Sequence, residues 1–154
     1  MIAHLRTVIL MALFLVAAAP ESASAEAIRI AVNEATSQRV IARITGEALK
    51  EAGFAVEYVD VAAATQYSMI ATGELHVQPD ATDTTDNADY QSALATGRIV
   101  DLGQRATEKG DSRSRKIMWT GVSGKWPGAA KLLRNMSLPS EDQTAMAMAI
   151  DGEG

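Results

Sequence analysis

Apolar residues come in short runs whose period switches along the chain. Ile28-Arg29-Ile30-Ala31-Val32 is strand-like and breaks into the polar loop Asn33-Glu34-Ala35-Thr36-Ser37. Val40, Ile41, Ile44, Ala48 and Leu49 then recur at helical spacing. They predict a helix over 38–52, capped by Thr36 or Ser37, closed by Gly53 and carrying an Arg43–Glu47 pair on its outer face. A second strand over 54–61 alternates imperfectly, as a strand covered on both faces does. A second helix over 62–72 ends at Gly73, and a third strand over 75–78 stops at Pro79-Asp80. Strands alternating with helices predict a mainly parallel sheet with covering helices. Ligands of such sheets sit at the carboxyl ends of the strands. The loops at 33–37 and 79–87 are therefore the places to look for function.

Residues 88–95 predict a short helix and 99–102 a further strand, giving four or five strands in all. Residues 103–115 are almost without apolar content and read as a linker or surface loop. Lys116-Ile117-Met118-Trp119 is a brief apolar return. Pro127 suits the first turn of a helix reaching about residue 136. Ser140, with Glu141 and Asp142 behind it, predicts the start of a last helix.

The opening residues change the picture of where the chain works. Val8 to Ala19 is an unbroken apolar run, Pro20 breaks it, and Ala23-Ser24-Ala25 has the small-x-small form of a cleavage site. The run is too short for a bilayer span, which takes about 20 residues. Residues 1–25 are thus expected to be a cleaved signal peptide, and 26–154 an exported, periplasmic domain. The chain has no cysteine, which excludes disulfides and thiol chemistry. A net charge of −5 argues against nucleic acid and anionic membrane surfaces as partners.

Candidate chemistry is sparse. Asp80, Asp83, Asp86 and Asp89 recur every third residue, but they lack the alternating ligands and turn glycine of a calcium loop. A solvated loop with a helix cap is expected. His76 is the single histidine after residue 25 and has no triad partner, so a structural or rim role is expected. No nucleotide fingerprint is present, no cofactor is implied, and an enzyme is not expected. The loop 33–37 precedes a helix N-terminus, where an anion would be favoured; on sequence physics alone, an ordinary capped loop is the better explanation.

The runs Ile30-Ala31-Val32-Asn33-Glu34, Met69-Ile70-Ala71-Thr72-Gly73-Glu74-Leu75-His76-Val77-Gln78-Pro79-Asp80 and Gly124-Lys125-Trp126-Pro127-Gly128-Ala129-Ala130-Lys131-Leu132-Leu133-Arg134-Asn135-Met136-Ser137 resemble one family. It is that of the glycine betaine/choline/proline substrate-binding proteins of ABC transporters. The resemblance implies an α/β fold consisting of a single three-layer lobe with a mainly parallel sheet, one lobe of a periplasmic-binding-protein fold. Its segments would be 26–102, a linker at 103–118 in place of the second lobe, and a helical segment at 119–154. It implies a quaternary ammonium ligand and an ABC transporter permease as partner. The ligand's carboxylate would meet Asn33, Glu34, Thr36 and Ser37, and its cation would lie toward Asp80 and Thr82. The family's aromatic box commonly places tryptophans at the positions of Ala35 and Thr82, so binding is expected to be weakened or lost. A non-transporting one-lobe remnant or interaction module, a binder of another small anion, and a homodimer that completes the cleft all stay open.

Overall fold

A computed structural model of the chain describes residues 26–104 and 114–137. The expected signal peptide, most of the linker and the last helix lie outside the described residues. The elements are β1 (Ile28–Val32), α1 (Thr36–Glu51), β2 (Val56–Asp60), α2 (Gln66–Thr72), β3 (Val77–Ala81), α3 (Ala88–Ala95), β4 (Ile99–Gln104), β5 (Arg115–Trp119), α4 (Val122–Lys125) and α5 (Pro127–Asn135). The five strands form one sheet in the order β2-β1-β3-β5-β4. β1 pairs parallel with β2 and β3, while β5 is antiparallel to both β3 and β4. Four strands thus point one way and β5 returns, so the sheet is mainly parallel, as expected.

Helices cover both faces, because alternate strand residues feed two separate cores. Ile28, Ile30, Val32, Val77 and Met118 pack with Leu49 of α1 and with Ala129, Ala130 and Leu133 of α5. Ala31 and Ile117 pack on the other face with Tyr67 and Ile70 of α2 and with Tyr90 and Ala93 of α3. The result is the three-layer lobe. Among the described residues no helix is long and apolar enough to cross a membrane.

Several local expectations are corrected. α1 starts at Thr36, so Thr36 and Ser37 are exposed first-turn residues; Ala35 is the N-cap and no side chain caps the helix. Glu47 bonds Lys50 Nζ at 2.8 Å and the Tyr58 hydroxyl at 3.1 Å rather than Arg43. Arg43 instead lies 4.1 Å over the Tyr58 ring. That ring reaches the helix because position 46 is glycine: a Cβ there would stand 2.1 Å from the Tyr58 hydroxyl. β2 is an edge strand with Glu57 and Asp60 exposed, not one covered on both faces. α2 is shorter than expected, starting at Gln66.

β3 runs through Pro79 rather than stopping there. The register with β5 shifts between Gln78 and Ala81, and that irregularity spares the ladder a donor that proline lacks. The linker is also narrower than 103–118, since β4 extends to Gln104 and β5 begins at Arg115, directly opposite it. The Lys116–Trp119 run was too short to announce a strand by period alone.

Lys116 shows how β5 holds α5. Its side chain is buried, and Nζ donates to the carbonyls of Leu133 (3.0 Å) and Met136 (2.5 Å) at the helix's C-terminal end. Burial pulls its pKa below the ordinary lysine value. The ammonium offsets that cost by satisfying end carbonyls and the negative end of the dipole. Lys116→Met is expected to lower stability by about 2 kcal/mol, the scale of charge-assisted bonds lost from a buried site. A urea titration checks this, and a loss below about 0.5 kcal/mol would refute the capping role.

Candidate functional site

The polarity of the strands gathers three loops at one edge. Asn33 follows β1, Val61 follows β2 and Thr82 follows β3, all at carboxyl ends. Gln104 and Arg115 are paired where β4 ends and β5 begins, at this same edge.

Three buried amides tie the edge together. Gln78 Nε2 donates to Gln66 Oε1 at 2.6 Å and to Asn33 Oδ1. Asn33 Nδ2 donates to the Val61 carbonyl (3.2 Å) and to Gln66 Oε1 (3.3 Å). Gln78 Oε1 in turn accepts the Asp80 N–H at 3.1 Å. β1, the β2–α2 connection, α2 and β3 are thereby held by one network with little water access, since each amide is at most 4% exposed. Such fully connected buried networks fix geometry because breaking one member strands the others.

Outside this network lies a cleft of about 350 Å³ lined by Val32, Asn33, Glu34, Arg39, Asp60, Val61 and Ala62. Arg39 Nε donates to the Asn33 carbonyl at 3.3 Å, which places the guanidinium on the cleft wall. Charges of both signs therefore face one small volume, beside the uncapped N-terminus of α1. Among the described residues no aromatic side chain lines the cleft.

The expected site residues separate in space. Asn33 and Glu34 line the cleft. Thr36 and Ser37 are exposed on the first turn of α1 and do not line it. Asp80 is buried in β3, not solvated, and its carbonyl accepts from Gln38 Nε2 at 3.1 Å. Thr82 is half-buried, and its carbonyl accepts the Tyr67 hydroxyl. Asp80 and Thr82 thus lie outside the cleft lining. Of the other aspartates, Asp83 takes a left-handed turn (φ 55°), Asp89 lies in the first turn of α3, and Asn87 caps that helix by accepting the Tyr90 N–H at 3.0 Å. Among the described residues no group of three metal-ligating side chains forms.

Arg39, Asp60, Gln66 and Gln78 were missed. Asp60 was findable, because the carboxyl-end rule applies to the second strand as well as to the first and third. Gln66 and Gln78 gave only a weak signal, as single polar residues beside apolar ones.

The aromatic residues serve packing. Tyr67 and Tyr90 meet edge-to-face at 5.5 Å, and burial pushes both phenols up to about 12, helped by the charges of Asp83 and Asp101 respectively. Tyr90 donates to Asp101 Oδ2 at 2.6 Å. Burial alone would raise the Asp101 carboxyl, but bonds from Tyr90, the Gly103 N–H and Arg115 outweigh it and hold the pKa below the usual value. Trp119 and Trp126 lie at the opposite, amino edge, with ring centroids 5.7 and 4.8 Å from that of His76. His76 is structural there: its Nδ1 accepts the Arg29 N–H at 3.0 Å and it is 1% exposed.

Residues 26–113 match the OpuAC family model, described as the substrate binding domain of an ABC-type glycine betaine transport system. Among solved structures, a lactococcal OpuAC in its closed, liganded conformation with glycine betaine is similar in fold, with a TM-score of 0.67 at 11% identity. The similarity covers 84% of this chain and 91% of that one.

Proposed function

Because the chain belongs to the OpuAC family of substrate-binding domains of ABC-type glycine betaine transport systems, we propose that it is an exported binding protein for small ammonium compounds of the glycine betaine class and delivers them to a permease. The observation that carries this reading is the cleft at the carboxyl ends of β1 and β2, in a member of a family that binds substrates rather than transforming them. A ligand carboxylate is suited to Arg39 and to the uncapped start of α1, where helix dipole and N–H groups favour an anion. A ligand cation is suited to Glu34 and Asp60. Asp80 and Thr82, toward which the family resemblance would place the cation, do not line this cleft.

Affinity is expected to be low. Residues 105–114 are too few to form a second lobe, which as a domain would need at least about 50 residues. Among the described residues, one lobe alone lines the cleft. Each aromatic contact to a cation is worth about 0.5–2 kcal/mol, and the positions of Ala35 and Thr82 supply none.

A thermal melt of the protein with and without glycine betaine, choline and proline tests the reading. A ligand bound by the folded state alone, at a thousand times its dissociation constant, adds about 4 kcal/mol. An upward shift of the melting temperature with any of the three is expected at tens of millimolar, as an order of magnitude for sites of this quality. No shift with any of them would overturn the reading.

A further inference from the structure

Resting on that reading of the cleft, we infer that this chain selects ammonium carboxylates that still carry N–H donors, such as unmethylated or partly methylated amino acids, over fully methylated betaines. The juxtaposition that carries the inference is Glu34 and Asp60 with Arg39 around one cleft of about 350 Å³ that no described aromatic side chain lines. A zwitterion with an ammonium and a carboxylate complements that set.

The choice between amines follows from what the wall offers a cation. A quaternary ammonium has no donor, and its charge is spread beneath methyl groups. It is held best by ring faces, whose quadrupoles attract it without demanding a hydrogen bond. Carboxylates do demand one. A quaternary group placed against Glu34 and Asp60 displaces their water and returns no hydrogen bond, which offsets part of the charge attraction. An N–H-bearing ammonium replaces that water with short charge-assisted bonds, roughly twice as strong as neutral ones. Asp60 is suited to this role because it closes an edge strand, with its side chain exposed at the rim. Glu34, exposed in the β1–α1 loop, faces the same space from the neighbouring strand's end. At the other end of the ligand, Arg39 is anchored through Nε to the Asn33 carbonyl, which sets the plane of its guanidinium.

The test holds charge and carboxylate constant and removes N–H groups one at a time. Glycine, N-methylglycine, N,N-dimethylglycine and glycine betaine are titrated calorimetrically into the purified protein at low salt. The dissociation constant is expected to rise along the series, by about tenfold or more from first to last, given the weight of a charge-assisted bond. In Asp60→Asn the series is expected to flatten, with glycine losing more than betaine; a role in stability alone would weaken all four equally. A series that is flat or tightens toward glycine betaine overturns the inference and leaves the proposed function standing. Binding of none of the four, together with no thermal shift by choline or proline, overturns both.

Discussion

Replacing Gln78 with leucine is expected to lower the unfolding free energy by about 3 kcal/mol, a large fraction of the roughly 5–15 kcal/mol available to a domain. Leucine keeps most of the volume, so the loss is not one of packing. Gln78 donates to Asn33 and Gln66 and accepts from the Asp80 N–H. Gln66 Oε1 keeps its bond from Asn33 Nδ2, but Asn33 Oδ1 and the Asp80 N–H lose the partners that Gln78 supplies. A stranded buried polar group costs about 1–3 kcal/mol, which exceeds what the added apolar burial returns. Urea unfolding of the wild type and Gln78→Leu measures the difference, and a loss below about 1 kcal/mol would sink the network's structural role. The same change is expected to loosen the edge that carries the cleft, because these amides join β1, α2 and β3 there. Amide hydrogen exchange at Asn33 and Val61 should accelerate in step.

Stability is expected to rise with pH between about 4 and 6.5, with His76 as the source. Burial pushes the imidazole down to about 4, and the Arg29 guanidinium adds to the shift. The Glu26 carboxylate and a bond to the Gly73 carbonyl oppose both, and Lys125 adds repulsion. The unfolded chain, with an ordinary histidine value near 6.5, therefore binds more protons than the native state throughout that window. Unfolding free energy must then increase with pH there. The contribution is fully present above about 6.5 and is lost as pH falls toward 4. At about 1.4 kcal/mol per unit, the span is worth about 3 kcal/mol. Asp101 acts in the same direction lower down, because its depressed carboxyl loses stabilisation once acid protonates it. Urea titrations at half-unit steps from pH 4 to 7.5 resolve the slope. His76→Gln should be less stable at pH 7.5 yet nearly flat across the window; an unchanged slope would assign it to another group.

The rhythm of strand and helix was legible along most of the chain. Helices α1, α3 and α5 fall within two residues of their expected bounds, because each is long or punctuated by Gly53, Asn87 or Pro127, residues whose backbone demands are local. The carboxyl-edge rule also pointed to the loop of Asn33 and Glu34, and both residues line the cleft. Asp80 and Thr82, from the third strand's end, lie outside that lining, since whether a polar residue after an apolar strand turns outward or ties inward depends on partners far along the chain. Gln38, which bonds the Asp80 carbonyl, is 42 residues away. The edge position of β2, the irregularity at Pro79 and the capping ammonium of Lys116 were hidden for the same reason.

By itself, then, the sequence determined the alternation of elements, the three-layer α/β class and the family likeness. Each is written in local spacing or in contiguous runs, and local propensity and burial period act on neighbours in the chain. The tertiary structure decided what the cleft is made of. Glu34 and Arg39 come from the first loop and helix, Asp60 from the second strand, and the amides behind them from the first loop, α2 and β3, brought together only when parallel strands end at a common edge. It also sent the two tryptophans to the opposite edge, where they pack on a buried histidine, so charged residues rather than described aromatic rings line the cleft.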